Sequence, residues 1–307
     1  MSTQMPTRER THEKPSRANQ SPARSTGARR RGPGFSPLAT TVLLVGAVYC
    51  LVPVLWVVMA ASKTPSELFT TFSFFPGTGF VDNFVALATY GGGIYWRWAL
   101  NSLLYAGVGA LLSTIVSAMA GYALAKFRFR GSGILFGAIL AGVLVPGIIL
   151  AVPQYLLLAS VGLAGTYWSV LLPCIINPFG IFLCRVFAQA AIPTETLEAA
   201  RIDGAGEIRI FGTIVLPMMM QGLVTVFLLQ FVGIWNNFLL PFIMLSDQDY
   251  YPLTLGLYTF LSRGAGDSDL YPLVIMGSAV SVIPLILLVM YLQRFWRADL
   301  LAGGLKG

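Results

Sequence analysis

Apolar residues run through this chain in long stretches, and charged residues gather in the gaps between them. No Asp, Glu, Lys or Arg occurs from Leu38 to Ser62, from Trp98 to Ala125, from Gly131 to Cys184, from Ile210 to Ser246 or from Leu270 to Gln293. A helix that crosses a bilayer needs about 20 apolar residues, and every one of these stretches is long enough. As a single helix the third stretch would be about 80 Å long at 1.5 Å per residue, too long for one crossing, so it holds two. Gly162 and Gly165, among Ser160, Thr166 and Tyr167, mark the turn between them. The pattern therefore predicts an all-α integral membrane protein with six transmembrane helices, at 38–61, 99–125, 133–159, 167–188, 218–245 and 272–293. Membrane barrels also satisfy every backbone group, but their strands alternate in polarity over about ten residues, whereas these runs are evenly apolar. Pro53, Pro146, Pro153, Pro173, Pro178, Pro241 and Pro284 lie in or near the spans, so kinked helices are expected.

Composition agrees with a chain that folds in lipid: 56% of residues are hydrophobic and 11% charged, with a mean hydropathy of +0.73. The net charge of +7 is unevenly placed. With six spans, the N-terminus, the 126–130 loop, the 185–217 loop and the C-terminus share one side, and they hold every Lys and Arg except Lys63, Arg97 and Arg263. The positive-inside rule puts that side, with both termini, in the cytoplasm of a cell membrane. The opposite segment between the last two spans is acidic, with Asp247, Asp249, Asp267 and Asp269. Residues 1–37 carry Arg8, Arg10, Lys14, Arg17, Arg24 and the run Arg29, Arg30, Arg31 among Ser, Thr, Pro and Gly. Such a tail cannot bury a core and is expected to be disordered, serving topology and offering contact to anionic lipid. A cleavable signal peptide is disfavoured by the length of its basic region and of the apolar run that follows. No nucleic-acid-binding fold accompanies the basic run, so nucleic acid is not an expected partner.

Catalytic chemistry is hard to assemble from these residues. Cys50, Cys174 and Cys184 form no CxxC pair, and the single histidine, His12, lies in the tail. There is no GxxxxGK[ST], which removes nucleotide hydrolysis by this chain. A secondary transporter or channel would place ionisable groups inside the bilayer, and the predicted spans have none but Arg185 at the cytoplasmic end of span four. The chain is thus not read as an enzyme, no cofactor or metal is assigned to it, and its energy must come from elsewhere.

The 190–217 loop between spans four and five is the informative segment. Pro193 and Thr194 form a helix start, and Glu195 and Glu198 in the first turns suit the positive end of the helix dipole. Ala199, Ile202 and Gly206 fall at i, i+3 and i+7, a narrow small-residue face able to lie against another protein. Gly204 permits a sharp break, and a second short helix leads to Pro217. Glu198-Ala199-Ala200, then Gly204, then Ile214, Leu216 and Pro217 fill every position of EAA-x3-G-x9-I-x-LP. In this the chain resembles the permease subunits of binding-protein-dependent ABC importers.

Asn101-Ser102, Pro146 to Gln154-Tyr155, Phe179-Gly180, Trp235-Asn236-Asn237-Phe238 and the closing Gly303 to Gly307 narrow the resemblance to the smaller, MalG-like permease of the maltose-type carbohydrate family, over residues 38–307. The resemblance implies a type I ABC importer transmembrane domain that imports a mono- or oligosaccharide by alternating access, with glycerol phosphate or another small solute as the alternative cargo. It implies a second, MalF-like permease, two ATPase subunits that bind the ATP and Mg, and an extracytoplasmic sugar-binding protein. Glu198, Ala199, Ala200, Gly204, Ile214, Leu216 and Pro217 would then carry ATPase coupling. Gln154, Asn177, Gln230, Asn236 and Asn237 are read at membrane depth, Gln230 and Asn237 on one face of span five. Their amides either hydrogen-bond sugar hydroxyls along the path or hold helices together, at about 0.6 kcal/mol each.

The charge pattern has a direct test. Single cysteines at Thr78 and Ser268 are expected to react with an impermeant thiol reagent in intact cells, and one at Thr194 to stay unlabelled. The opposite labelling would reverse the orientation.

Overall fold

The computed structural model describes residues 37–70 and 74–303, with backbone only for Phe69 and residues 297–303. The N-terminal tail expected to be disordered, and the last four residues of the chain, lie outside the described residues. Two compact units divide the chain at Val48 and Tyr49. Of the first, residues 37–48 are the opening half of α1 (Pro37–Ala61), and apolar side chains such as Leu43, Val45 and Tyr49 just beyond it are exposed.

In the second unit the order is α2 (Pro65–Thr70), α3 (Phe80–Thr89), α4 (Ile94–Lys126), α5 (Ser132–Leu144), α6 (Gly147–Ser160), α7 (Tyr167–Ile175) and α8 (Pro178–Ala191). There follow α9 (Thr194–Ile202), α10 (Glu207–Ile210), a π turn (Phe211–Val215), α11 (Leu216–Met218), α12 (Met220–Trp235), α13 (Leu239–Met244), α14 (Leu253–Gly264) and α15 (Leu270–Gly303). No strand occurs among the described residues. Four helical stretches are long and apolar enough to cross a membrane, and two bent pairs complete six crossings when each pair is counted as one span.

The bends are larger than kinks. Helices α5 and α6 meet at 103°, because Pro146 confines Val145 to extended backbone, at φ −75° and ψ 120°. Span five is likewise not one helix over 218–245. It turns by 82° ahead of Met220 and stops at Trp235, before an irregular stretch through Phe238. Helices α7 and α8 are separated by the extended Ile176 and Asn177, ahead of Pro178. The turn expected between spans three and four does fall at Gly162 to Gly165.

Helix α4 is the axis, packed against α7, α8, α12 and α14. Gly109, Ser113, Ser117 and Gly121, spaced by four, are all buried on one stripe of it. Small residues at this spacing let helix backbones approach closely in lipid. A Cβ at Gly121 would lie 2.6 Å from the Arg185 backbone nitrogen and 2.6 Å from Cys184 Cβ. Near its Ile94 end, α4 holds the segment after α13 by the main chain. Trp98 Nε1 donates to Gln248 O at 2.9 Å, Asn101 Nδ2 to Asp249 O at 2.8 Å and Tyr251 O at 3.0 Å, and Tyr105 OH to Tyr250 O at 3.0 Å. Ser102 Oγ accepts from Leu253 N at 2.7 Å, and Arg97 pairs with Asp249 at 2.9 Å. At the other end Lys126 Nζ donates to Ile192 O at 2.5 Å.

Close packing at Gly121 sets an expectation. Gly121→Ala forces backbone apart and should destabilise the purified protein by about 1–3 kcal/mol, whereas Gly107→Ala, with no atom within 4 Å of the new Cβ, should leave the melting temperature near that of the wild type. Equal melting temperatures for the two variants would deny that the α4 stripe is a tight seam.

Candidate functional site

Two places gather the residues singled out above, a turn at the Lys126 end of α4 and a cavity among the broken helices. Helix α9 starts where the sequence places it, with Pro193 before its first residue, Glu195 in its first turn and Arg201 in its last. Gly204 follows at φ +80°, a left-handed conformation that costs an L-residue roughly 1–2 kcal/mol. Ala205 N then donates back to Ala200 O at 3.0 Å, closing the helix end. Arg201 Nε and Glu207 Oε1 pair at 2.7 Å across the turn, and the Glu207 carboxylate raises the Arg201 pKa. Both side chains are largely in solvent, so the pair adds about 1 kcal/mol at most.

The turn has two sides. Leu197, Ala200, Ile210 and Val215 are buried with Tyr122, Cys184, Ala188 and Met219. Ile214 and Leu216 pack half-buried against the same core, around the π turn that precedes Pro217. Pro217 has no N–H, which leaves the helical ladder one donor short at the widened turn. Glu198, Ala199, Gly204 and Pro217 are exposed. Ala200, by contrast, faces inward at 9% exposure, so of the paired alanines Ala199 alone is on the outer side. Ile202 and Ile208 flank the turn at 86% and 90% exposure. The spacing of Ile202 from Ala199 signalled its face, while Ile208, in the one-turn helix α10, carried no periodicity that sequence reading could use.

The cavity has a volume of about 460 Å³, and Gln154, Asn177, Gln230 and Asn237 line it. Each comes from a different element: α6, the α7–α8 break, α12, and the stretch between α12 and α13. Gly147, the first residue of α6 after the Pro146 bend, also lines it, so three helix breaks converge on one space. Irregular backbone at membrane depth is tolerated where it is buried in protein or lines a cavity, and discontinuous helices mark transporter binding sites. Asn177 Oδ1 accepts from Gly180 N at 2.8 Å and caps α8, and Asn237 Oδ1, one residue ahead of the Phe238 cap position, accepts from Leu240 N at 3.3 Å in the first turn of α13. The side-chain amides of Gln154 and Gln230 have no hydrogen-bond partner among the described residues. Glycine at 180 makes room for Gln230, since a Cβ there would lie 2.8 Å from its Nε2 and 2.6 Å from Ser117 Oγ. No charged side chain lines this cavity.

Helical periodicity did not put Gln230 and Asn237 together, because α12 ends at Trp235 and the break brings Asn237 round. Asn236 does not join the other four amides. It lines a second cavity, on the α14 and α15 side.

Residues 113–300 match the family model described as "Binding-protein-dependent transport system inner membrane component". Among curated proteins, the chain is 35% identical to the arabinooligosaccharides transport system permease protein AraQ of Halalkalibacterium halodurans, over 89% of this chain and 98% of that one. It is 31% identical to the diacetylchitobiose uptake system permease protein NgcG of Streptomyces coelicolor, over 85% of each. Among solved structures, a chain of a bacterial ABC transporter involved in the import of the acidic polysaccharide alginate superposes with a TM-score of 0.72 at 21% identity, over 85% of this chain and 95% of that one.

Proposed function

This chain belongs to the family of binding-protein-dependent transport system inner membrane components, and from that membership we propose that it forms one half of the carbohydrate path of an ATP-driven importer. It is a multi-pass permease subunit of the cell membrane and not an enzyme. The observation that carries the cargo is the cavity where three helix breaks meet, walled by four amides and by no charge. Amides donate and accept, as sugar hydroxyls do, and a phosphate or other anion would call for an Arg or Lys that this wall lacks. The sugar permeases among its relatives support the same reading.

Drive comes from outside the chain. Two ATPase subunits would bind ATP and Mg, a second permease would close the path, and an extracytoplasmic binding protein would deliver the sugar. Both termini and the 192–211 turn face the cytoplasm in this reading. The ATPase seats on the outer side of the turn, where Glu198 offers a carboxylate, Ala199 and Gly204 allow close approach, and Ile202 and Ile208 supply apolar anchors. Ala200, Ile214 and Leu216 act from beneath, fixing the turn to the transmembrane core.

Two outcomes follow. Gln154→Leu removes an amide that makes no hydrogen bond among the described residues, so it should lower sugar uptake about tenfold or more without lowering the melting temperature, and Leu229→Ala serves as an exposed control. A fall in stability with transport per folded complex unchanged would make Gln154 a packing residue. Ile208→Glu, alone or with Glu198→Ala, should leave the permease in the membrane while ATPase co-purification falls, and undiminished co-purification and uptake would remove the turn from the interface.

A further inference from the structure

The second cavity, of about 390 Å³, lies across the Asn236 to Leu239 segment from the first. Asn236 and Phe238 face it, while Asn237 and Leu239 face the amide-lined one, so a single irregular strip of backbone is the wall between two spaces. Both volumes fall in the range of about 300–1,000 Å³ usual for small-molecule sites.

The two walls differ in chemistry. Trp235, Phe238 and Tyr258 give the second cavity an aromatic side, with the Phe238 and Tyr258 rings 4.9 Å apart at 65°. Asn236, Thr254, Ser278 and Ser281 in its lining each donate one hydrogen to a main-chain carbonyl, Ser278 Oγ to Val274 O at 2.7 Å. Asn236 Nδ2 donates to Val232 O at 2.9 Å, Thr254 Oγ1 to Asn237 O at 2.8 Å and Ser281 Oγ to Ser278 O at 2.7 Å. What remains to a guest is the Asn236 carbonyl oxygen with the second hydrogen of its amide, and the lone pairs of the three hydroxyls, so acceptors predominate. The Tyr258 hydroxyl has no hydrogen-bond partner among the described residues.

We propose that this cavity is a second saccharide subsite, built to stack one further sugar ring on Tyr258 and Trp235 while Asn236, Thr254 and Ser281 accept its hydroxyl protons. A sugar ring offers an apolar C–H face and a rim of O–H donors, which match the aromatic side and the acceptors together. A lipid acyl chain has no donors and would leave those acceptors unanswered. The proposal rests on the carbohydrate reading of the chain and adds to it a chain length. The amide-lined cavity takes one end of an oligosaccharide, and a later ring of the same saccharide reaches round the Asn236–Leu239 strip into the second.

The test uses thiol protection in the assembled importer with Cys50→Ser, because Cys174 already lines the first cavity and Ser281→Cys places a thiol in the second. Malto-, arabino- and chito-oligosaccharides of one to five units are the probes. The expected result is that short members of the transported series slow modification of Cys174 alone, and longer ones slow modification of the Ser281→Cys thiol as well. In uptake, Tyr258→Leu should raise KM for the longer members about tenfold and leave the shortest unchanged. If saccharides protect Cys174 at every length and the second thiol at none, or if Tyr258→Leu affects all lengths alike, the subsite is overturned and the sugar path stands. If no saccharide is taken up or protects either thiol, both readings fall together. Protection of the second thiol by an alkyl-chain amphiphile alone assigns the cavity to lipid and also overturns the subsite.

Discussion

Hydrocarbon offers a polypeptide no hydrogen-bond partners, so a helix that breaks at membrane depth has to find donors and acceptors within the protein. This chain breaks where α5 meets α6, where α7 meets α8 and where α12 gives way to α13. It meets the constraint with two side-chain amides and a hydroxyl: Asn177 takes the Gly180 N–H, Asn237 takes the Leu240 N–H, and Thr254 Oγ1 donates from α14 to the Asn237 carbonyl. The groups that repair the breaks are therefore the ones that border the cavities. Polar cavity walls and a stable backbone are obtained from the same residues, which is why substituting Asn177 or Asn237 would perturb both at once, and Gln154, which bonds to none of the described residues, separates them.

Helix α4 makes such breaks tolerable. It carries no proline, whereas every other crossing contains or adjoins one: Pro53, Pro146 with Pro153, Pro173 with Pro178, Pro217 with Pro241, and Pro284. Its small-residue stripe brings the α8 backbone so near that Gly121 has no room for a methyl group. Its two ends are tied by main-chain hydrogen bonds, at residues 248–253 and at Ile192. Dispersion contacts between close helices replace the hydrophobic driving force that is missing in lipid. One unbroken, closely packed helix thus supports neighbours that are interrupted.

Charge-free stretches made the spans legible, since an uninterrupted apolar run of this length has few alternatives. The start of α9, the turn at Gly162 to Gly165 and the break at Gly204 were legible too, because Pro and Gly act through local backbone sterics. The size of the bend at Pro146 was not, because proline removes one hydrogen bond and sets one φ but leaves the direction of the next helix to its packing. The short helices outside the spans, α2, α3 and α14, hide in segments of mixed polarity. Asn101 and Ser102 show a further limit. In the sequence they stand only as residues of the family resemblance, and the structure shows what they do: their side chains are committed to the carbonyls of Asp249 and Tyr251 and the N–H of Leu253. Four of the five amides read at membrane depth line one cavity, while Asn236 is separated from Asn237 by the alternation of an irregular backbone, which helical periodicity does not describe.

Stiffness is unevenly distributed as a result, and the distribution has a direction. The 192–211 turn continues through α10, the π turn and α11 into α12, so displacement of the turn pulls on α12 along the chain itself. At its far end α12 stops at Trp235, and the Asn236–Leu239 strip begins. That strip is bonded to α14 through Thr254, and α14 packs on α4 and α15. Between the turn and that strip lie the π turn and the 82° bend ahead of Met220, both packed into the core around Tyr122 and Cys184, whereas the strip borders a cavity on each side. A helix transmits force because its hydrogen bonds are local and regular; an irregular strip between two cavities has fewer packed neighbours to hold it. The place where the chain leaves regular helix is then also the place where a change in the width of either cavity is least opposed.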